Sequence, residues 1–484
     1  MKFVFLSCII PIILLSQISF AQNITMKDFF ESVQKTHPFF LKESLTAEIE
    51  MKKQERLLGS QDWVIRSSPY YMYQKPVSTG LGYPEEISMV GADIALAKTS
   101  WKTGGRLSLA LTSEYTDQTI PDIVIPFSPQ DIVIPAGPAK LYTSKVYLKY
   151  SQPLMQNFGG KLDKLEYELT EYEIDFINIQ TLENQEEFVL DLGMRFLEWV
   201  LLSEQNRIAQ ERLALAEEQM KQIERRWTAN LVERVDVLRA EDAVRIAKQG
   251  IVLIESHWKA KQAELAVLAQ VKELYDLGPQ FDIYTLQTLP ELDDAATHLM
   301  ETSRVLNALS VRRDQLSHLI EGYREAKRPQ LYLSVGAGLQ DGDEEIGNSL
   351  GFNKPDVFVA LDFRYPLGNR TAKADVAKTE LELKQLDKDI ENIALELEAG
   401  ARNLVILIKE MEKVLALNQE QVESARTKTK EELRLYNQGR SDLTFVIQSQ
   451  DNEEIAELTY AENAVAYQKL ILQYHALMDE LLSQ

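Results

Sequence analysis

Chemistry needs convergent side chains, and the reactive residues of this chain are scattered. Five histidines, His37, His257, His298, His318 and His475, show no His-Glu-x-x-His or other ligand spacing, so each reads as a surface or packing residue. The single cysteine, Cys8, has no second thiol with which to form a disulfide or a metal site. No phosphate loop, nucleophile elbow or haem motif occurs, and Gly336-Ala337-Gly338 falls inside a strand pattern, where it carries no dinucleotide-binding meaning. The acidic run Asp341-Gly342-Asp343-Glu344-Glu345 could touch calcium, but a polar turn accounts for it more simply. Carboxylates are abundant, yet along the helical stretches they alternate with Lys and Arg as a solvated face does. The sequence predicts no enzyme, no cofactor and no metal site.

What remains is organisation. The 484 residues hold 52 Lys+Arg against 74 Asp+Glu, a formal charge of -22, with 45% hydrophobic residues. That is too apolar for a disordered chain and too acidic for a nucleic-acid partner. Residues 1–21 combine Lys2, the apolar run Phe3 to Leu15 and the small-residue end Ser19-Phe20-Ala21, the pattern of a secretory signal peptide. A mature chain beginning near Gln22 would have no thiol. No later segment reaches the roughly 18 consecutive apolar residues of a membrane-spanning helix. An exported chain of this kind is periplasmic, secreted, or built into the outer membrane as a closed barrel, which alone hides its backbone from lipid without helices.

Two corresponding halves emerge. The first repeat covers 22–290, with an opening helix at 25–60, a strand region at 61–153 and a helical hairpin at 160–275. The second covers 291–484, with a helix at 292–327, strands at 329–340 and 356–366 and a helical hairpin at 370–482. Val33 matches Leu299 and Pro153-Leu154 matches Pro366-Leu367, which leaves the first half longer by about fifty residues between its opening helix and its long helix. The stretches Lys161 to Thr228 and Thr371 to Asn437 lack proline and place Leu162, Leu165, Leu169, Tyr172, Phe176 and Ile179, and then Leu383, Leu386, Ile390, Ile393 and Leu397, at alternating spacings of three and four. This is a coiled-coil seam. An unbroken helix of that length reaches on the order of 100 Å. Each ends in a short break, Ala229 to Val232 or Asn437 to Ser441, where Asn230 or Gly439 can take the left-handed conformation and Asp442 can cap the returning helix.

Strand patterns sit at the other end of these helices. Val357, Val359, Leu361, Phe363 and Tyr365 alternate with Asp356, Phe358, Ala360, Asp362 and Arg364, and Leu331 to Leu339 alternates likewise. Period-two alternation over about ten residues fits a transmembrane strand with one lipid face and one lumen face. An added hairpin near 88–116, with a tight turn at Trp101 to Gly105, accounts for the longer first half. The loop Asp117 to Leu141 repeats Asp-Ile-Val-Ile-Pro at 122–126 and 131–135, which suggests an ordered or irregular extracellular loop.

Taken together, the arrangement resembles the TolC-like outer membrane efflux proteins, over essentially all of the mature chain. The most specific local match is the tip pattern Gly-x-x-x-x-x-Asp-Val, seen as Asn230 to Val237 with Asn for Gly, and as Gly439 to Val446 with Phe445 for Asp. The resemblance implies a mainly α fold with a membrane β-barrel: long antiparallel coiled-coil helices forming a trimeric periplasmic tunnel, capped by a barrel shared among protomers. The family usually gives four strands per protomer and hence twelve; six here would give eighteen. The implied function is that of a passive exit duct in a tripartite efflux system, driven by an inner-membrane pump through a periplasmic adaptor, with outer membrane lipid around the barrel. Export of protein by a type I secretion system is the alternative within the channel class, and a barrel-anchored coiled-coil surface protein the alternative outside it. By the same analogy a periplasmic gate falls on Asp236, Tyr436, Arg440 and Ser441, and the adaptor-contacting tips on Asn230, Leu231, Val232, Gly439, Arg440, Asp442 and Leu443. Ser441 stands where the family usually has a gate arginine, with Arg440 beside it.

Overall fold

A computed structural model describes residues 23–77, 83–127, 129–135 and 139–483; the expected signal peptide with Cys8 lies outside them, as do parts of the proline-rich loop. In chain order the elements are β1 (Asn23–Thr25), α1 (Met26–Thr36), α2 (Pro38–Leu57), β2 (Val64–Gln74), β3 (Glu86–Thr99), β4 (Arg106–Thr119), β5 (Ile123–Ile125), β6 (Ile132–Ile134) and β7 (Ala139–Pro153). There follow α3 (Leu165–Thr228), α4 (Arg234–Leu268), β8 (Gly278–Gln280), α5 (Leu292–Thr302), α6 (Arg304–Ala326), β9 (Gln330–Asp343), α7 (Ile346–Ser349), β10 (Lys354–Arg364), α8 (Arg370–Asn437) and α9 (Leu443–Leu477). The chain is mainly helical with a sheet portion and divides into two compact units.

One unit, residues 46–179 and 307–391, holds a six-stranded sheet of order β10-β9-β7-β4-β3-β2, antiparallel throughout. Alternation along each strand, carried through the register, separates two faces. Ile65, Leu96, Leu109, Leu148, Ala337 and Val357 form one rung; the neighbouring rung, on the opposite face, is Arg66, Ala95, Ala110, Tyr147, Gly338 and Asp356. Val357, Val359, Leu361 and Phe363 on the apolar face are all about two-thirds exposed or more, so no described residue covers that part of it, whereas Ser144 farther along the same face is buried against Ser349 of α7. The sheet is open, with β2 and β10 as its edges. Among the described residues no helix is long and apolar enough to cross a membrane. In the same unit α6 packs beside the start of α3, where Gly322 leaves room for Leu165 and His318 Nε2 meets Glu168 at 2.8 Å.

The other unit, residues up to 45 with 180–306 and 392–484, carries the main core. Phe29 stacks on Phe196 with centroids 5.3 Å apart, and Trp199, Leu265, Val405, Ile408 and Tyr467 are buried around them. Gly193 lets Leu472 and Phe30 approach α3, since a Cβ there would lie 2.6 Å from the Leu472 side chain and 2.9 Å from the Phe30 ring. β1 pairs in parallel with β8.

Three expectations differ from what is found. The opening helix expected at 25–60 is two helices, interrupted at His37, because Pro38 starts a new helix and supplies no N–H to continue the old one. The helix expected at 292–327 also breaks, at Ser303, where the Arg304 N–H is given to Asp479 Oδ2 at 2.7 Å instead of a preceding carbonyl. The acidic run at 341–345 is no simple turn: Asp341 to Asp343 continue β9, paired with Tyr142 to Ser144 of β7.

Candidate functional site

The two long helices that end in the core unit close with the same geometry. In the first, Asn230 has φ 58° and the Leu231 N–H donates to Arg226 O at 2.8 Å; in the second, Gly439 has φ 71° and the Arg440 N–H donates to Leu435 O at 2.9 Å. Both are left-handed closures in which the next residue's amide reaches back to an orphan carbonyl. The returning helices begin three residues later. Asp442 caps α9, accepting from the Thr444 N–H at 2.8 Å, a bond that holds its carboxyl below the usual range. Asp236 reaches back to the Glu233 N–H at 3.3 Å, so it also serves the start of α4.

Between the tips lies a small core of Ile223, Val237, Ala240 and Leu443, all buried, flanked by Val232 and Tyr436. Two arginines tie the hairpins together around it. Arg239 contacts Asp236 at 3.3 Å and Asp442 at 3.6 Å; Arg226 donates to Asn437 Oδ1 at 2.8 Å and lies 4.9 Å over the Tyr436 ring. The Tyr436 hydroxyl is buried without a hydrogen-bond partner among the described residues, and burial raises its pKa against the pull of the Arg226 guanidinium. Of the residues expected here, Asp236, Tyr436 and Asp442 come together through these arginines and Leu443 joins the core. Ser441 points elsewhere, donating to Glu432 at 2.9 Å, while Arg440 and Leu231 are exposed. Sequence reasoning missed Arg226 and Arg239; the signal was a basic residue in the last turn of one helix and an i,i+3 acid–base pair at the start of the next.

Beside the tips, a groove of about 590 Å³ runs between α4 and α9, with Ala243, Ile246, Ala247, Ile447 and Ile455 along its sides. Buried Arg212 also lines it, paired with Asp451 at 2.8 Å and near Glu454, whose carboxyl pKa burial pushes up.

The polar face of the sheet is the second surface of interest. Tyr70 lies over Gly91 and Tyr147 over Gly336 and Gly338, where an added Cβ would strike the rings. Tyr147 stacks on Phe358 at 5.6 Å, with Lys145 over the Tyr147 ring and Lys149 over the Phe358 ring. Thr112 donates to Asp93 at 2.7 Å and Lys145 pairs with Asp356. The large side chains thus lie along the face instead of standing out from it.

A two-faced open sheet with helical hairpins defines a class: the fold is that of outer membrane channels, and the resemblance to TolC-like outer membrane efflux proteins is a resemblance of fold. Among solved structures, VceC, an outer membrane protein of Vibrio cholerae, matches with a TM-score of 0.63 at 10% identity, over 93% of this chain and 95% of its own. CmeC, the outer membrane channel of Campylobacter jejuni, gives 0.62 at 11% identity over 94% and 85%. The Neisseria gonorrhoeae outer membrane channel MtrE, in its open state, gives 0.60 at 14% identity over 94% and 89%. No protein-family model and no curated protein sequence matches the chain.

Proposed function

We propose that this protein is an outer membrane channel, the passive exit duct of a tripartite efflux system. In this reading it is a homotrimer whose protomers share one barrel, and the coiled-coil hairpins line a tunnel into the periplasm. The two halves of the chain are structural repeats, each ending in a hairpin tip. A periplasmic adaptor docks on Asn230, Leu231, Val232, Gly439, Arg440, Asp442 and Leu443, and an inner-membrane pump acts through that adaptor. Asp236 and Tyr436, with Arg440 and Ser441 beside them, form the periplasmic gate.

The observation that carries this reading is the sheet. Along the middle of the sheet one face is apolar and largely exposed, as in Ile65, Leu96, Leu109, Leu148, Ala337 and Val357, while the other carries Arg66, Tyr147 and Asp356, as a wall between lipid and water does. The likeness to outer membrane channels supports it independently. A negatively charged duct would favour cations over anions. The test is direct: the full chain should fractionate with the outer membrane, need detergent for extraction, and conduct ions in a planar bilayer. A water-soluble, non-conducting protein would sink the proposal.

A further inference from the structure

The sheet ends on two unpaired strands. β2 and β10 each run eleven residues, with Pro69 and Pro355 the only positions lacking an amide donor. On the membrane reading above, on which this inference rests, such edges cannot stay open, because lipid offers no hydrogen bonds. The strand number is even and every neighbouring pair is antiparallel, so β2 and β10 run in opposite senses. A second copy of this chain can therefore lay its β2 antiparallel to β10, and the next copy can do the same.

The stagger of the sheet selects a register. Starting from Val64, the rung passes through Ala97, Ser108, Lys149 and Gly336 to Phe358, six positions before β10 ends at Arg364. A level rim sets Val64 of the next copy opposite Arg364, and the same choice brings Gln74 opposite Lys354, so the two edges overlap completely. Faces are preserved: Ile65 meets Phe363, Ser67 meets Leu361 and Tyr71 meets Val357 on the apolar side. On the polar side Arg66 meets Asp362, and neither has an ion-pair partner among the described residues of its own chain. Tyr70 meets Phe358, extending the aromatic band that Tyr147 begins.

We propose that β2 of one copy pairs with β10 of the next in this register, so that each copy gives six strands to the wall and three copies give eighteen. A stagger of six positions per six strands makes shear equal to strand number. An eight-stranded barrel of shear eight has the same ratio and a tilt of about 36°, inside the roughly 35–45° of membrane barrels. Barrels of about 16–18 strands enclose an aqueous channel, and tyrosines laid over glycines keep this wall thin.

Paired cysteines test the register in the full chain carrying Cys8→Ser. Ser67→Cys with Leu361→Cys should oxidise to covalent dimers and trimers in the membrane, while Ser67→Cys with Val359→Cys or with Phe363→Cys should give several-fold less. Arg66→Asp should loosen the oligomer and Asp362→Arg added to it should restore it. Stronger linking by a shifted pair overturns the register. An outer membrane oligomer that none of the pairs links overturns the edge pairing while leaving the channel reading in place. A soluble protein overturns both.

Discussion

At the hairpin tips the decisive chemistry is carried by single residues. Asn230 holds a left-handed backbone that glycine tolerates and a β-branched residue does not. Asn230→Val should cost about 1–2 kcal/mol locally, read as faster amide exchange at Asn230 and Leu231, whereas Asn230→Gly should leave exchange nearly unchanged. Arg239 is one of the two arginine links between the tips. Its ion pairs are substantially exposed and of little worth to overall stability. Arg239→Ala and Asp236→Ala should therefore leave the melting temperature close to that of the parent while raising the closed-state leak in a planar bilayer. Unchanged leak would mean that Asp236 only caps its helix. The left-handed positions and the Asp442 cap were legible because they depend on residue type within a few positions. The arginine bridges were not, since each joins residues roughly two hundred apart in the chain.

Elements were legible where periodicity is strong, and illegible where a distant residue intervenes. Leu162 to Ile179 and Leu383 to Leu397 announce their helices, and the alternation from Asp356 to Arg364 announces a strand. The break at Ser303 carries no local signal, because it is made by Asp479. There Arg304 sits among Glu183, Glu186 and Asp479, with the Glu183 carboxylate at 2.9 Å. Burial, and then the charge of Asp479, raise the Glu183 pKa against the Arg304 guanidinium. A carboxyl whose folded pKa is raised favours the folded state while protonated, and that contribution is lost as pH rises through the folded value. Glu183→Gln should accordingly melt at or above the parent temperature at pH 7, with the difference closing below the ordinary glutamate pKa. A lower melting point at neutral pH would show that the ion pair outweighs burial. Glu43 works in the opposite sense: the Asn184 amide lowers its pKa, so its contribution disappears on acidification.

For the whole molecule, strand number is the consequential quantity. Because β2 and β7 run in opposite senses, removing the β3–β4 hairpin, Glu86 to Thr119, leaves two strands able to pair directly. Such a deletion should still assemble, through the same β2 and β10 edges, into a narrower barrel. A fall in particle diameter by electron microscopy, with the Ser67 and Leu361 cross-link retained, is the expected outcome. The extra hairpin was foreseeable from the unequal lengths of the two halves; the six-position stagger of the sheet was not, since it accumulates over five strand pairings.

The short ribbon of β5 and β6 puts Val124, Ile125, Ile132, Val133 and Ile134 in the open, paired Ile123 to Ile134 and Ile125 to Ile132. Each strand is only three residues long and is followed at once by a proline, Pro126 or Pro135, that can donate no further ladder bond. A greasy loop trimmed in this way offers no template on which stray extended peptides could grow. It can stay sticky toward its surroundings without seeding fibrils among densely crowded neighbours.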